Sequence, residues 1–511
     1  MKYTLKMRVL AALLVVLTLC TVACANDAGN GDTPDTTTVS ADASSTSAPT
    51  GDDSATDPAD TTVAELTPDL PDVDYTGKKI TFLEREIQIG SNIDVYFNEI
   101  YADLSLAETV SNAVYNRNEA MINKYGIEIE SLRVWDKDIS KTFTNAADAG
   151  DKICDVLHAN GTTTMPLANK GYLRDMNTID YVNYDNPWWM GMVMDTSSIS
   201  GKNAFAIGDT NIQAFTAVSA AYFNKQLVED LELGNIYDLV NDGKWTLDKM
   251  YEYCQAAVAE LDGDNEMTKE DRYGLLFNAY VWQPVYYGFG KAIVQKDEND
   301  VPFIDLQDEK VLTPLSKAID FLADDEVNIC TSWASLGLQE DFFQNGHSMF
   351  YVQLMYSALE MRKGETEFGI IPMPKYDESQ DAYYHYIHNK SSYTSVPKIN
   401  EDLEMTGIIL EDMAYYSYKL VRPDFFDVLL DGKVARDEES TEMLDYIYEN
   451  VYVCLLRPLD AIGLTTDGTI RAFIISKSGS GSIVSTFKKV ENMWKKTLNN
   501  LADSLADNMD E

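Results

Sequence analysis

The pattern of apolar and polar positions predicts alternating strands and helices from residue 78 onward. KKITFLERE (78–86) is a short strand that runs into a polar loop, and IEIESLRV (127–134) alternates as a second strand does. Residues 107–124, between them, carry apolar side chains on one helical face at Val110, Val114, Met121 and Ile122. CDVLHANG (154–161) is mostly apolar and ends in Asn-Gly, which predicts a third strand. This order predicts an α/β layered lobe.

The downstream pattern predicts a second set of elements. Further strands are expected at 202–210, 272–277, 341–352 and 367–374. Thr246 is positioned to cap a helix that begins at Leu247, with Trp245 packing in front of it. An amphipathic helix is expected at 401–420, ended by Pro423, and more helices at 437–450 and 483–507.

The N-terminus has a different character. MKYTLKMR is basic, and the apolar run that follows it, Val9 to Leu19, is too short to span a bilayer, which is typical of a secretory signal. The run ends in TVAC, which resembles the end of a bacterial lipoprotein signal and predicts acylation of Cys24. Plain secretion with cleavage nearby is the alternative. Residues 25–74 are rich in Asp, Thr, Ser, Ala and Pro, which predicts a disordered tether.

Composition limits the partners of the chain. Its formal net charge is −43, which would repel nucleic acid and anionic lipid, so direct binding to either is not expected. The globular part exceeds the size that one hydrophobic core usually serves, which predicts two lobes. Four cysteines remain after the signal, without metal-type spacing; they are expected to be small buried residues, and their oxidation state is left open: Cys154, Cys254, Cys330 and Cys454.

Many segments, in order along the chain, carry a family resemblance. They are SNAVYNRNEAMINKYGIEIE, CDVLHANG, GYLRDMNTID, NPWWM, KNAFAIGDT, YFNKQLVED, DGKWTLDKMYEYC, LDGDNEMTKEDRYGLLF, FFQNGHSMF, FGIIPMPKYDE and DGKVARDEESTEMLDYIYENVY. Together they resemble the extracellular solute-binding proteins of bacterial ABC importers, in particular the sugar-binding lipoproteins of Gram-positive bacteria. The resemblance implies a two-lobed, type II periplasmic-binding-protein-like fold, a ligand in the cleft between the lobes, and delivery of that ligand to a membrane permease.

This organisation divides the chain as follows: a signal peptide at 1–23, a tether at 24–74, the first lobe at 75–213, the second lobe at 214–371, a return to the first lobe at 372–425, and second-lobe helices at 426–511. The expected product is a monomer on the outer face of the cell membrane. It would contact the membrane only through its lipid, and its partners would be a solute, expected to be a carbohydrate, and the permease subunits.

Ligand-binding residues are expected where strands end at the cleft, because aromatic rings suit the apolar face of a sugar while polar side chains suit its hydroxyls. By this rule the candidates are Glu84, Arg85, Asn160, Asp209, Trp282, Tyr286, Trp333, Tyr351 and Tyr356. Each has an alternative structural role: a surface ion pair, a turn or a place in the core. In VWQPVYYGFG (281–290), Trp282 and Tyr286 are expected to face the ligand, with Tyr287 and Phe289 packed behind them.

One segment resembles a calcium loop. In ELDGDNEMTKED, oxygen ligands fall at alternating positions as in an EF-hand: Glu260, Asp262, Asp264, Glu266 through its carbonyl, Thr268 and Asp271. Glu in place of Asp at the first position and Asn265 in place of the turn glycine depart from that pattern. The alternative is a solvated acidic loop. Structural calcium is the one cofactor that the sequence suggests.

Enzyme motifs are missing: the sequence has no GxSxG, HExxH or Walker A segment. No catalytic residue is predicted, and the protein is expected to be a binding protein and not an enzyme. Two other classes stay open at this point, namely a cell-surface glycan-processing enzyme and an adhesin or sensor-associated lipoprotein without a permease.

Overall fold

The structure, a computed structural model, describes residues 66–86, 97–104, 109–331, 336–361, 364, 366–389, 391–430 and 438–509. The segment Leu66–Glu511 forms one compact unit. The predicted signal peptide, Cys24, most of the tether and Trp333 lie outside the described residues. Within those described ranges, no helix is both long enough and apolar enough to cross a membrane.

The first lobe is built on a four-stranded sheet in the order β12-β3-β1-β2. Its strands are β1 (Lys79–Arg85), β2 (Glu128–Val134), β3 (Val156–Ala159) and β12 (Tyr393–Ser395). The first three are parallel and β12 is antiparallel, so β1, β2 and β3 all end at the same edge. The three predicted strands in this part of the chain are therefore confirmed.

The second lobe is built on a five-stranded sheet in the order β10-β4-β9-β5-β8. Its strands are β4 (Ser219–Asn224), β5 (Tyr273–Asn278), β8 (Asn328–Thr331), β9 (Ser348–Leu354) and β10 (Phe368–Ile371). Strands β5, β8 and β9 are parallel, and β4 runs against β9. Two small pairs complete the strands: β6 (Gln295–Lys296) with β7 (Pro302–Phe303), and β11 (His385–Ile387) with β13 (Val451–Val453).

The helices cover both sheets. Up to β10 they are α1 (Thr109–Tyr125), α2 (Asp136–Ala149), α3 (Gly161–Asn169), α4 (Gly191–Ser197), α5 (Ile212–Thr216), α6 (Lys225–Asp230), α7 (Ile236–Asn241), α8 (Leu247–Ala257), α9 (Trp282–Gly288), α10 (Glu309–Ala323), α11 (Leu336–Gln344) and α12 (Tyr356–Met361). After β12 they are α13 (Leu403–Tyr416), α14 (Arg422–Leu430), α15 (Glu438–Glu449), α16 (Leu456–Asp460), α17 (Thr466–Ile475), α18 (Ile483–Phe487) and α19 (Glu491–Met509). The predicted cap of α8 is confirmed, since Thr246 Oγ1 accepts a hydrogen bond from the backbone N–H of Lys249 at 3.3 Å.

The C-terminal helix α19 contacts both lobes. Near its start, the indole N–H of Trp494 donates to the carbonyl of Leu464. Near its end, Ser504 donates to the carbonyl of Asn169, and Lys398 donates to the carbonyl of Asn508. Residues 426–511, which the sequence assigns to the second lobe, therefore include a helix that also touches first-lobe residues.

Three local predictions are wrong. Residues 202–210 form no strand, because they make only isolated bridges, including one between Ala206 and Thr394. Of the strand expected at 341–352, the first part is the end of α11; Gly346, with φ +78, makes the turn into β9. Pro423 does not end a helix, because a π-helical turn at Ser417–Val421 runs directly from α13 into α14, and Pro423 is the second residue of α14.

Candidate ligand-binding site

The ends of β1 and β3 bring two of the predicted residues onto one carboxylate. Asn160 Nδ2 donates to Asp136 Oδ1 at 2.7 Å, and Arg85 Nη1 lies 3.7 Å from the same oxygen. Asn160 also caps α3, since its Oδ1 accepts from the backbone N–H of Thr163 at 2.9 Å. Arg85 and Asn160 are buried, whereas the Asp136 side chain is 31% exposed. This first-lobe cluster of Arg85, Asp136 and Asn160 therefore reaches solvent through Asp136.

Glu84 has a different environment. Its carboxylate accepts hydrogen bonds from the backbone N–H groups of Glu99 at 3.3 Å, Ile100 at 3.2 Å and Tyr101 at 3.0 Å, and another from the hydroxyl of Ser131. Burial raises the pKa of Glu84, and the hydroxyl of Ser131 opposes that shift. Glu84 therefore anchors the segment around residues 99–101 against the end of β1.

An aromatic ring with two arginines lies at the end of β5 in the second lobe. Tyr280 is in a short turn after that strand, where Asn278 Oδ1 accepts from its backbone N–H at 3.0 Å. The guanidinium carbons of Arg471 and Arg457 lie 4.2 Å and 5.3 Å from the centroid of the Tyr280 ring. At these distances both cations interact with the ring. All three side chains are partly exposed.

The carboxylate of Asp467 connects the two arginines of this group. Its Oδ2 accepts from Arg457 Nη1 at 2.8 Å and from Arg471 Nε at 2.9 Å. Its Oδ1 accepts from the indole N–H of Trp282 at 3.0 Å and from Gln283 Nε2 at 3.1 Å. Asp467 is fully buried, so these four donors compensate for the lost hydration of its charge. We call Tyr280, Arg457, Arg471 and Asp467 the second-lobe cluster.

The segment VWQPVYYGFG lies behind this cluster. Trp282, Tyr286, Tyr287 and Phe289 are all buried, and Tyr287 stacks on Tyr386 with ring centroids 5.7 Å apart. The hydroxyl of Tyr286 has no hydrogen-bond partner among the described residues. Trp282 reaches the cluster through Asp467, so its position is that of a supporting residue. Direct contact of Trp282 and Tyr286 with a ligand stays a prediction.

The two clusters are neighbours where α16 packs on α3. Pro458 follows Arg457 in α16, and Gly161 follows Asn160 at the start of α3; these two residues are in contact. A Cβ atom at Gly161 would come within 2.9 Å of Pro458 Cγ and 2.8 Å of Tyr393 Cε2. Such distances leave no room for a side chain at position 161. The N-terminal end of α3 and α16 therefore bring polar groups of both lobes to one junction.

The remaining predicted residues lie elsewhere. Asp209 is buried in the segment between the lobes, where its Oδ2 is 3.6 Å from Arg422 Nη1. Burial raises the pKa of Asp209 to about 7, and Arg422 opposes the shift. Tyr351 is in the core of the second sheet and donates to Glu340 Oε1 at 3.0 Å. Tyr356 is buried at the start of α12. Arg85 and Asn160 are thus the predicted residues that share a cluster, and Trp282 supports the neighbouring one.

All four residues of the second-lobe cluster were missed by sequence reasoning: Tyr280, Arg457, Asp467 and Arg471. A signal existed for Tyr280, which immediately precedes the aromatic segment and follows a strand. The others come from the C-terminal part of the chain, far from Tyr280 in sequence, and no local pattern marks them. Asp136 was missed because it reads as an ordinary acidic residue at the start of a helix.

Only some of the ligands predicted for calcium lie close together. Carboxylate oxygens of Glu260, Asp262 and Asp264 lie within 4.8 Å of one another. All three also accept backbone N–H groups of the loop, for example that of Glu266 at Asp264 Oδ1. Asp271 lies outside this group of three and accepts from the backbone N–H groups of Leu261 and Thr268, both at 2.7 Å. The Thr268 hydroxyl accepts from the backbone N–H of Glu270. Calcium binding stays a prediction, and three of its six proposed ligands lie close together.

A separate cavity of about 340 Å³ lies behind α9. Its walls include Tyr287 and Tyr452, and the Tyr452 hydroxyl donates to the carbonyl of Tyr287 at 2.6 Å. Lys296, also in the wall, donates to the carbonyl of Asp195 and to the hydroxyl of Ser198 at 2.8 and 2.7 Å. These polar groups are paired within the protein, as are those of the two clusters, so pairing does not distinguish the cavity from the inter-lobe junction. The junction differs in that it joins groups from both lobes.

Solved structures share this architecture. The sugar-binding protein MalE of Xanthomonas citri aligns with a TM-score of 0.54 at 12% identity, covering 84% of this chain and 98% of that one. A sugar transporter protein of Rhizobium etli in an open conformation gives 0.52 at 14% identity, covering 84% and 99%. A cyclo/maltodextrin-binding protein complexed with maltotetraose gives 0.52 at 14% identity, covering 87% and 98%.

The chain has the two-lobed fold of these binding proteins. The α/β fold class expected from the sequence is thereby confirmed. No protein-family model matches the chain. No curated protein matches it either. At this level of identity the likeness establishes the fold alone.

Proposed function

We propose that this protein is a carbohydrate-binding receptor that captures a sugar between its lobes and delivers it to an ABC permease. One observation carries the proposal: Tyr280, with two arginines held by Asp467, adjoins the Arg85–Asp136–Asn160 cluster where α16 meets α3. A sugar ring has an apolar face and a rim of hydroxyls. The exposed part of Tyr280 suits the face, while guanidinium donors and a carboxylate acceptor suit the hydroxyls.

Binding of this kind requires no bond chemistry. Groups from both lobes contact the ligand together only when the lobes are closed, so the ligand favours the closed state by its differential contact with it. A closed receptor presents a different surface from an open one, and a permease can distinguish the two. The two-lobed fold, shared with the sugar-binding proteins above, supports this mechanism.

The first experiment is a thermal-shift screen of the chain from residue 25 onward against mono- and oligosaccharides, amino acids and short peptides. We expect a saccharide to raise the melting temperature, and Tyr280→Ala to remove most of that shift. Phe303→Ala, at an exposed aromatic on β7, is the matched control. A shift with peptides and none with saccharides would contradict the carbohydrate assignment.

Recovery of the ligand separates a receptor from an enzyme. The bound saccharide, released by denaturation after prolonged incubation, should have an unchanged mass. Shorter products, formed by the wild-type protein and not by a heat-inactivated sample, would instead support the glycan-processing alternative.

The location is part of the same proposal: a lipid on Cys24 holds the receptor on the outer face of the cell membrane, where it acts as a monomer beside its permease. Metabolic labelling with an alkyne fatty acid should label the wild type and Cys20→Ser but not Cys24→Ser. Stimulation of the ATPase activity of a co-purified permease by the sugar-loaded receptor would support delivery. A receptor that binds sugar without any such stimulation would favour the adhesin or sensor alternative.

A further inference from the structure

A groove of about 480 Å³ adjoins the first-lobe cluster, and its volume is typical of ligand-binding pockets. Its lining includes Trp135, the residue directly before Asp136 of that cluster. One wall is formed by Glu86, Arg133 and Val134, at the ends of β1 and β2. Since β1 and β2 end at the edge of the sheet that also carries the Arg85–Asp136–Asn160 cluster, the groove lies beside that cluster on the first lobe.

Trp135 is unusual among the tryptophans of the described part of the chain. Its side chain is 49% exposed, whereas Trp188, Trp189, Trp245, Trp282 and Trp494 are buried. Its backbone begins α2, with the N–H of Asp138 donating to its carbonyl at 2.7 Å, but its indole makes no capping hydrogen bond. The ammonium group of Lys137 lies 4.9 Å from the centroid of the Trp135 ring, so the ring already contacts one flexible cation. Because the side chain is still 49% exposed, the rest of the ring is accessible as a platform for a ligand.

The opposite wall of the groove is one face of α2. Asp138, Lys141, Thr142 and Asn145 follow the spacing i, i+3, i+4, i+7, which places them in a row, while Ile139 and Phe143 point into the core. Within the described ranges, none of these four polar side chains has a hydrogen-bond or ion-pair partner in another residue. The row therefore offers donors and acceptors along the length of the groove.

We propose that this groove is a second binding subsite, in which further units of an oligosaccharide lie along α2 with one sugar ring stacked on Trp135. The proposal rests on the carbohydrate-binding function proposed above, and it defines the ligand as a chain of sugars, not a single sugar. An aromatic ring followed by a row of polar side chains fits a ligand that repeats apolar ring faces and hydroxyl edges.

The test is an affinity series measured by calorimetry. Monomer to hexamer members of the gluco-, xylo-, manno- and galacto-oligosaccharide series are titrated into the chain from residue 25 onward and into Trp135→Ala. We expect the tetrasaccharide of the series that binds to be at least tenfold tighter than its monosaccharide, and Trp135→Ala to weaken the tetrasaccharide about tenfold, a change of about 1.4 kcal/mol. Binding of the monosaccharide should change less than twofold.

Thr142→Val and Phe303→Ala provide matched comparisons. The first removes one hydroxyl from the groove while keeping the side-chain shape, and should weaken only the longer members of the series. The second removes an exposed aromatic ring on β7, outside the groove, and should weaken none. Because Trp135 is exposed and its indole makes no capping bond, loss of the ring should leave the fold intact, which circular dichroism checks.

A second readout reports on the ring itself. Iodide should quench the fluorescence of Trp135, and the tetrasaccharide should protect it; both effects should vanish in Trp135→Phe. Equal affinity for monomer and tetramer, or equal weakening of both by Trp135→Ala, would overturn the subsite while leaving the carbohydrate receptor in place. Absence of binding by every saccharide would overturn both proposals.

Discussion

Asp467→Asn is the sharpest test of how the second-lobe cluster is built. The substitution keeps the size of the side chain and leaves Oδ1 for Trp282 and Gln283 to donate to. At the position of Oδ2, which accepts from Arg457 and Arg471 at 2.8 and 2.9 Å, an amide NH₂ group replaces the acceptor. Donors would then face donors, so both charge-assisted hydrogen bonds are lost.

The magnitude follows from burial. A hydrogen bond to a charged group contributes about 1.5–3 kcal/mol, so two such bonds give at least about 3 kcal/mol. The side chains of Arg457 and Arg471 are 23% and 24% exposed, and water can hydrate them once they are released. Allowing for this hydration, we expect the free energy of unfolding to fall by about 2 kcal/mol.

The assay is urea unfolding of the chain from residue 25 onward, followed by both fluorescence and circular dichroism so that coincident transitions establish two-state behaviour. Asp503→Asn is the control, since it makes the same chemical change on an exposed face of α19 and should stay within about 0.5 kcal/mol of the wild type. In the sugar-binding assay, Asp467→Asn should also weaken the ligand. An unchanged midpoint and slope would refute the reasoning that Asp467 holds the two arginines.

Four other predictions address separate features. Trp282→Phe removes one of four donors to Asp467 and should lower the free energy of unfolding by about 2 kcal/mol; urea unfolding measures it, and wild-type stability would contradict the supporting role. Burial raises the pKa of Asp209 from its ordinary 3.8 to about 7, so the folded protein keeps a proton that the unfolded chain releases. The stability contributed by protonated Asp209 should therefore be lost as the pH rises from about 4 to about 7. Asp209→Asn should flatten the plot of melting temperature against pH in that range, and parallel plots for variant and wild type would refute this. Three of the four free thiols are buried as expected, whereas that of Cys330 is exposed, which corrects the expectation from the sequence. A maleimide should therefore modify one cysteine in the native chain from residue 25 onward and four in urea; modification of several native thiols would count against the structure. If the acidic loop binds calcium, millimolar Ca²⁺ should raise the melting temperature of the wild type and not of Asp264→Asn, whereas no shift in the wild type would end the calcium prediction.

Short-range sequence patterns were sufficient to predict the strands and the helix cap on which the site is built. The strands at 79–85, 128–134 and 156–159 and the cap at Thr246 follow from alternation, helical spacing and capping chemistry, all of which act over a few residues. The strand predictions at 202–210 and 341–352 are wrong because they rest on the same short-range patterns. An apolar run indicates burial, but whether it pairs as a strand depends on which distant backbone lies beside it.

Local reasoning also selected the ends of the strands, and this placed Arg85 and Asn160 among the candidates. It could not separate side chains that face the junction from those that face inward. Glu84, next to Arg85, is engaged by three backbone N–H groups from residues 99–101, a contact that depends on where that segment folds back.

The sequence by itself determined a two-lobed α/β protein with polar residues and aromatics at its strand ends, because hydrophobic periodicity, chain length and turn chemistry are properties of neighbouring residues. Only the tertiary structure decided which of them form the site. Trp282 and Asp467 are 185 positions apart, yet their hydrogen bond determines that the tryptophan supports the arginines instead of standing at the surface. Side-chain direction across such a separation is set by packing between distant segments, and no local pattern encodes it.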